Sequence, residues 1–144
     1  MRTLGLDLGS RRIGVALSDP SGILASPHVV LERSGSTAGD HRAIADLVAE
    51  AGAGRVVVGL PLSLDGSTGA AARSVLAEVE DLRAALPVPV ECQDERLSTV
   101  AADKTLVEAG IRGPERRRVV DKVAAAVLLQ SWLDRASGQG GAPR

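Results

Sequence analysis

The chain has 144 residues, enough for one domain with a hydrophobic core and too few for two. It is 44% hydrophobic and 24% charged with a formal net charge of -1, an ordinary globular balance that gives no bulk attraction to nucleic acid and leaves room for a local basic patch. A single cysteine, Cys92, excludes an intrachain disulfide and a thiolate metal site, and with one Trp, no Tyr and no Phe the core must come from Leu, Val, Ile and Ala.

The opening MRTLGLDLGSRR has neither the apolar run nor the cleavage pattern of a signal peptide. No apolar segment reaches the roughly 18 residues of a membrane span. The cytoplasm is therefore the expected location. Positive charge is almost all arginine, with Lys only at positions 104 and 122. Arginine suits bidentate phosphate contacts. It is equally what a GC-rich genome would supply.

Residues 3–8 (TLGLDL) alternate as a strand, with Leu4, Leu6 and Leu8 on one face and Gly5 and Asp7 on the other. Residues 13–18 (IGVALS) read as a second strand, with Ile13, Val15 and Leu17 opposite the small Gly14, Ala16 and Ser18. The GSRR between them predicts a tight hairpin turn. A third strand fits 23–31, where Pro27 argues for an edge position or a break. RSGSTAGD (33–40) is a loop by composition. A helix over about 40–51 carries His41, Ile44, Leu47, Val48 and Ala51 at helical spacing.

RVVVGL (55–60) fits a buried central strand. After a loop over 61–69, a helix over about 70–86 has Val75, Leu76, Val79, Leu82, Arg83 and Leu86 as its stripe. VPVECQ (88–93) is the last strand. A helix near 98–109 has Ser98 or Thr99 as cap and Gly110 as terminator. IRGPERRR (111–118) reads as a basic linker, and a final helix over about 118–135 turns Val120, Ala124, Val127, Leu128 and Trp132 inward. Residues 1–136 form the domain and 137–144 a frayed tail. The order β-β-β-α-β-α-β-α-α predicts an α/β fold, a mixed sheet with helices packed on it.

Asp7 stands out: it lies mid-strand on a face where its neighbours are glycines. A lone buried carboxylate is costly, so either this face opens to solvent or something positive meets the acid. Gly5, Gly14 and Ala16 would leave space there for a ligand. Glu95 directly follows a predicted strand end, and Asp121 lies in the first turn of a predicted helix. Hard cations such as Mg²⁺ take carboxylate oxygens. A metal-dependent phosphodiesterase gathers acids from several element ends. The plainer reading is that Asp94 and Glu95 cap a loop and that Asp121 satisfies a helix dipole. His28 and His41 are expected to be structural or exposed.

The stretches LGLDLGSRRIGVALSD (4–19), VVVGLPLSLDGSTG (56–69), DERLST (94–99) and VVDKVAAAVLLQSWL (119–133) resemble, in order and over nearly the whole chain, the YqgF/RuvX family. The DxGxxxxG element alone is weak, since sugar kinases and actin-type proteins use a similar loop. The later motifs are far more specific. The resemblance implies an RNase H-like fold related to the RuvC resolvases. Its five-stranded mixed sheet would have strands 1–3 antiparallel and in sequence, strands 4 and 5 parallel to the first, and helices on both faces.

It implies Asp7, Glu95 and Asp121 as the catalytic acids, holding Mg²⁺ or Mn²⁺. It implies a nuclease maturing the 5′ end of pre-16S rRNA, acting as a monomer or homodimer. The alternatives are a nuclease of structured DNA like the Holliday junction resolvases, or a non-catalytic rRNA-binding assembly factor. Arg11 and Arg12 at the hairpin turn, Arg96, and Arg112, Arg116, Arg117 and Arg118 ahead of Asp121 are the candidate phosphate contacts. In the other reading Arg11 and Arg12 are a solvated turn. One departure stands out. Resolvases carry a further acid about one helical turn after the last aspartate, and Ala124 is found there. Asp94, Asp19 or a substrate phosphate would have to complete a two-metal shell.

Overall fold

The computed structural model describes residues 1–62, 65–95, 109–111, 113 and 115–141. Five strands, β1 (Arg2–Leu8), β2 (Arg12–Ser18), β3 (Ala25–Glu32), β4 (Ala53–Leu60) and β5 (Val90–Asp94), form one sheet in the order β3-β2-β1-β4-β5. β1 pairs antiparallel with β2 and parallel with β4; β2 pairs antiparallel with β3, and β4 parallel with β5. This is the topology expected from the sequence, with β1 at the centre. Pro27 lies on edge strand β3, where the register with β2 shifts between Val15 and Ala16, so its missing N–H interrupts no central ladder.

The described helices are α1 (Thr37–Ala51), α2 (Ala70–Ala85) and α3 (Glu115–Gly141). The alternation of β1 and β2 sorts their side chains to two faces. Leu4, Leu6, Ile13 and Val15 join Val56 and Val58 of β4 against Ile44 and Val48 of α1 and Val75, Val79 and Leu82 of α2. On the opposite face Ala16 and Val57 meet Ala125, Leu128, Leu129 and Leu133 of α3. Each fully buried leucine contributes about 1.5–3 kcal/mol.

Several boundaries differ from the sequence reading for local reasons. α1 begins at Thr37 because the Ser36 side chain accepts the Gly39 N–H, which turns part of the apparent loop into a capped first turn. It stops at Gly52, whose φ of 63° is left-handed. α3 begins at Glu115, so Arg116, Arg117 and Arg118 belong to its first turn rather than to a linker, and it runs on to Gly141. Leu76, placed in the α2 stripe, is 38% exposed. Arg83, in the same stripe, donates from Nε and Nη2 to the Val90 carbonyl and closes the α2–β5 turn. The helix expected near 98–109 lies outside the described residues.

Candidate active site

Asp7 sits near the C-terminal end of β1, on the face that α3 covers, opposite Gly14 of β2. The glycines around it do not clear a path for a ligand, as the sequence suggested. Helix α3 fills that space. A Cβ on Gly5 would lie 2.9 Å from Leu129 Cβ and 3.2 Å from the Ala125 carbonyl oxygen. A Cβ on Gly14 would fall on the carbonyl of Asp121. Absent side chains on β1 and β2 thus let the helix backbone touch the sheet and bring Asp121 beside Asp7.

The two carboxylates are felt electrostatically. The Asp7 pKa is pushed up to about 6, first by burial and then by the negative charge of Asp121. Asp121 has a partner that Asp7 lacks in this role: Arg12 Nε donates to its Oδ2 at 2.7 Å. Arg12 opens β2 two residues before Gly14 and therefore shares its face. The hydrogen bond to Asp121 raises the guanidinium pKa further. The strand turn that presents Arg12 is closed by Gly9 N–H donating to the Arg12 carbonyl at 2.9 Å.

Glu95 follows β5, and its N–H donates to the Leu60 carbonyl at 3.1 Å. Its side chain lies over Gly59, where a Cβ would strike the carboxylate. Val58 pairs with Leu6, so Gly59 lies one step further along, at the level of Asp7. The three acids named from the sequence thus come from β1, from the residue after β5, and from α3, around one end of the central strands. They are oxygen donors of the kind Mg²⁺ and Mn²⁺ take. Among the described residues, however, no group of three or more His, Cys, Asp or Glu side chains is close enough to hold a metal ion.

Of the proposed supplements, Asp19 does not reach this centre. Asp19 stands just beyond the far end of β2, where it accepts from the backbone N–H groups of Ile23 and Leu24 and the Ser21 hydroxyl. These bonds hold its carboxyl well below the usual range, and it organises the 19–24 loop. Ala124 is fully buried, so an acid there would lie inside the α3 packing.

Of the candidate arginines, Arg11 is exposed at the turn and its carbonyl accepts from Arg33 N–H at 2.8 Å. Arg117 is exposed, Arg116 is partly buried, and Arg118 reaches Glu32 at 3.3 Å. Arg96 and Arg112 lie outside the described residues. His28 is exposed and His41 is buried, as expected.

Sequence reasoning missed the group that fixes the turn beside Asp7. Arg33 donates from Nε to the Gly9 carbonyl at 2.9 Å and pairs bidentately with Glu78 of α2 at 2.7 and 2.9 Å. His41 Nε2 lies 2.8 Å from the same Glu78. Burial pushes the Glu78 pKa up, but the bonds from Arg33 and His41 outweigh it and leave it lowered. Asp40 behaves alike, with Ser34 and Arg33 overcoming its burial. Partners so far apart in sequence leave no periodic signal. The one available hint was His41 on an apolar helix face.

A five-stranded β3-β2-β1-β4-β5 sheet, with helices on both faces and an acid near the C-terminal end of its central strand, is an RNase H-like domain. Residues 1–135 match the family described as "RuvX: Holliday junction resolvase", and the chain belongs to that family. It is 47% identical over 147 aligned positions to a protein of Mycobacterium sp. (strain KMS) described as "Putative pre-16S rRNA nuclease", covering 97% of this chain and 87% of that one. A Desulforamulus reducens protein of the same description is 42% identical, with 93% and 97% covered. Among solved structures, the T. thermophilus RuvC in complex with a Holliday junction substrate superposes with a TM-score of 0.56 at 17% identity. That match covers 94% of this chain and 96% of that one, and it bears on the fold.

Proposed function

We propose that this chain is a cytoplasmic nuclease that hydrolyses a phosphodiester at the 5′ end of precursor 16S rRNA, with Asp7, Glu95 and Asp121 as its catalytic acids and Mg²⁺ or Mn²⁺ as cofactor. The observation that carries the reading is the juxtaposition of Asp7 and Asp121, two acids from sequence-distant elements held against each other by glycine-seated packing. Folding gains nothing from mutual repulsion, and Arg12 donates to Asp121 while Asp7 stays raised, so the arrangement supports a use in meeting a further cation. The substrate class follows the description carried by the curated relatives.

A divalent ion held by these carboxylates would activate water and offset charge on the phosphate oxygens. The chain's own residues do the rest. β1 and α3 fix the acids, the Arg33–Glu78 pair anchors the turn, and Arg11, Arg116 and Arg117 offer phosphate contacts at the rim. With no Tyr or Phe, recognition rests on backbone and shape rather than base stacking.

The test is cleavage of a precursor 16S rRNA 5′ leader with and without Mg²⁺ or Mn²⁺, wild type against Asp7→Asn. Ion-dependent cleavage lost in the variant supports the reading. Equal cleavage by the two proteins, with contaminating nuclease excluded, overturns it. A second reading, a non-catalytic rRNA-binding factor, is favoured by the Arg12–Asp121 ion pair. It predicts tight leader binding without cleavage under any ion. Paired symmetric nicks in a four-way DNA junction would instead support the resolvase alternative.

A further inference from the structure

We propose that Arg12 is an internal cation that occupies the acidic centre and must leave Asp121 before a divalent ion can bind there. The proposal rests on reading Asp7, Glu95 and Asp121 as the ion-binding acids.

Two observations and Coulomb repulsion carry it. The Arg12 Nε–Asp121 Oδ2 contact of 2.7 Å commits one of the oxygens that an ion would need, and it places a fixed positive charge beside that carboxylate. Two cations sharing one carboxylate in a partly buried site repel each other strongly. Among the described residues no three-acid group is close enough to hold a metal with Arg12 in place, although the three acids come from elements around the same strand ends.

Arg12 also has somewhere to go. Glu32 of β3 is its register partner across the sheet and is exposed, and its charge already acts on Arg12. On the far side Glu32 meets Arg118 at 3.3 Å. A guanidinium displaced from Asp121 would therefore pass to a neighbouring carboxylate or to a substrate phosphate rather than into an apolar wall. In this arrangement Asp121 is neutralised while the ion is away, and Arg12 becomes available for phosphate as the ion arrives.

The experiment is calorimetric titration of Mn²⁺ into the full chain. Arg12→Gln should bind Mn²⁺ at least threefold more tightly than wild type, and Arg12→Lys, which keeps the charge, should stay near wild type. In an Asp121→Asn background Arg12→Gln should bring no gain. Arg12→Gln binding no tighter than wild type, while Asp7→Asn and Asp121→Asn both lose Mn²⁺, overturns the role of Arg12 alone. Mn²⁺ binding untouched by Asp7→Asn and Asp121→Asn, or absent from every variant, overturns the ion site and this proposal with it. A wild-type measurement guards against a variant that fails to fold. The Arg12 Nε–H resonance should be protected from solvent exchange without Mg²⁺ and lose that protection on titration. Protection that persists at saturating Mg²⁺ also overturns the proposal.

Discussion

At the scale of single residues the decisive group is Asp7. Its folded pKa of about 6 lies above the ordinary 3.8, so between these values the native state holds a proton that the unfolded chain has lost. Native proton excess makes unfolding free energy fall as pH rises through that window. The loss is complete above pH 6 and is bounded at about 3 kcal/mol by the size of the shift. Asp40 and Glu78, with lowered values, act in the opposite sense at more acid pH. The difference between variants isolates Asp7. Urea denaturation should show Asp7→Asn more stable than wild type at pH 7.5 and near parity at pH 4. Equal stability at both pH values would mean that the carboxylate is not strained. Arg33 is the second telling residue. Arg33→Met removes a bidentate pair and a carbonyl contact and leaves Glu78 with His41 alone. A loss of about 2–4 kcal/mol is expected in the same assay, together with weakened activity, because the Gly9 turn is freed.

At the scale of elements, α3 is the piece on which the site depends. It carries Asp121, and it reaches Asp7 because β1 and β2 offer glycine where a side chain would hold it off. Gly14→Ala drives a methyl into the Asp121 carbonyl, a backbone atom that cannot rotate away. The expected cost is about 1–3 kcal/mol, with loss of the Arg12–Asp121 contact. A shift of the urea midpoint without change in slope checks it. This packing also marks how far the sequence could be read. The strands were legible because their alternation is a period-two pattern, and the motifs named the family and the three acids. The glycines were legible as an empty face but not as a seat, since α3 is separated from them by more than a hundred residues. The α1 and α3 starts were misplaced because Ser36 and Arg116–Arg118 have loop-like composition, and only hydrogen bonds from the chain around them decide otherwise. The Arg33–Glu78–His41 group left a single local hint, His41 on an apolar helix face.

At the scale of the whole molecule, a net charge near zero conceals an uneven distribution. The first turn of α3 gathers Arg116, Arg117 and Arg118 on the approach to the acids, with Arg11 at the neighbouring turn. Replacing the three helix arginines by Ala should weaken binding of single-stranded leader RNA and reduce the salt slope by about 1–2, less than three free charges would give because Glu32 already engages Arg118. Filter binding from 50 to 300 mM salt measures this. An unchanged slope would assign the RNA contacts elsewhere. The position of α3 in the chain has a consequence for biosynthesis. Every strand among the described residues precedes it, so a growing polypeptide completes this sheet with Ala16 and Val57 uncovered and with Asp7 lacking both Asp121 and the helix that encloses it. As synthesis runs from N- to C-terminus, the partly made protein is stickiest on the very face that carries Asp7, and the pairing of the two acids waits until that last helix has emerged.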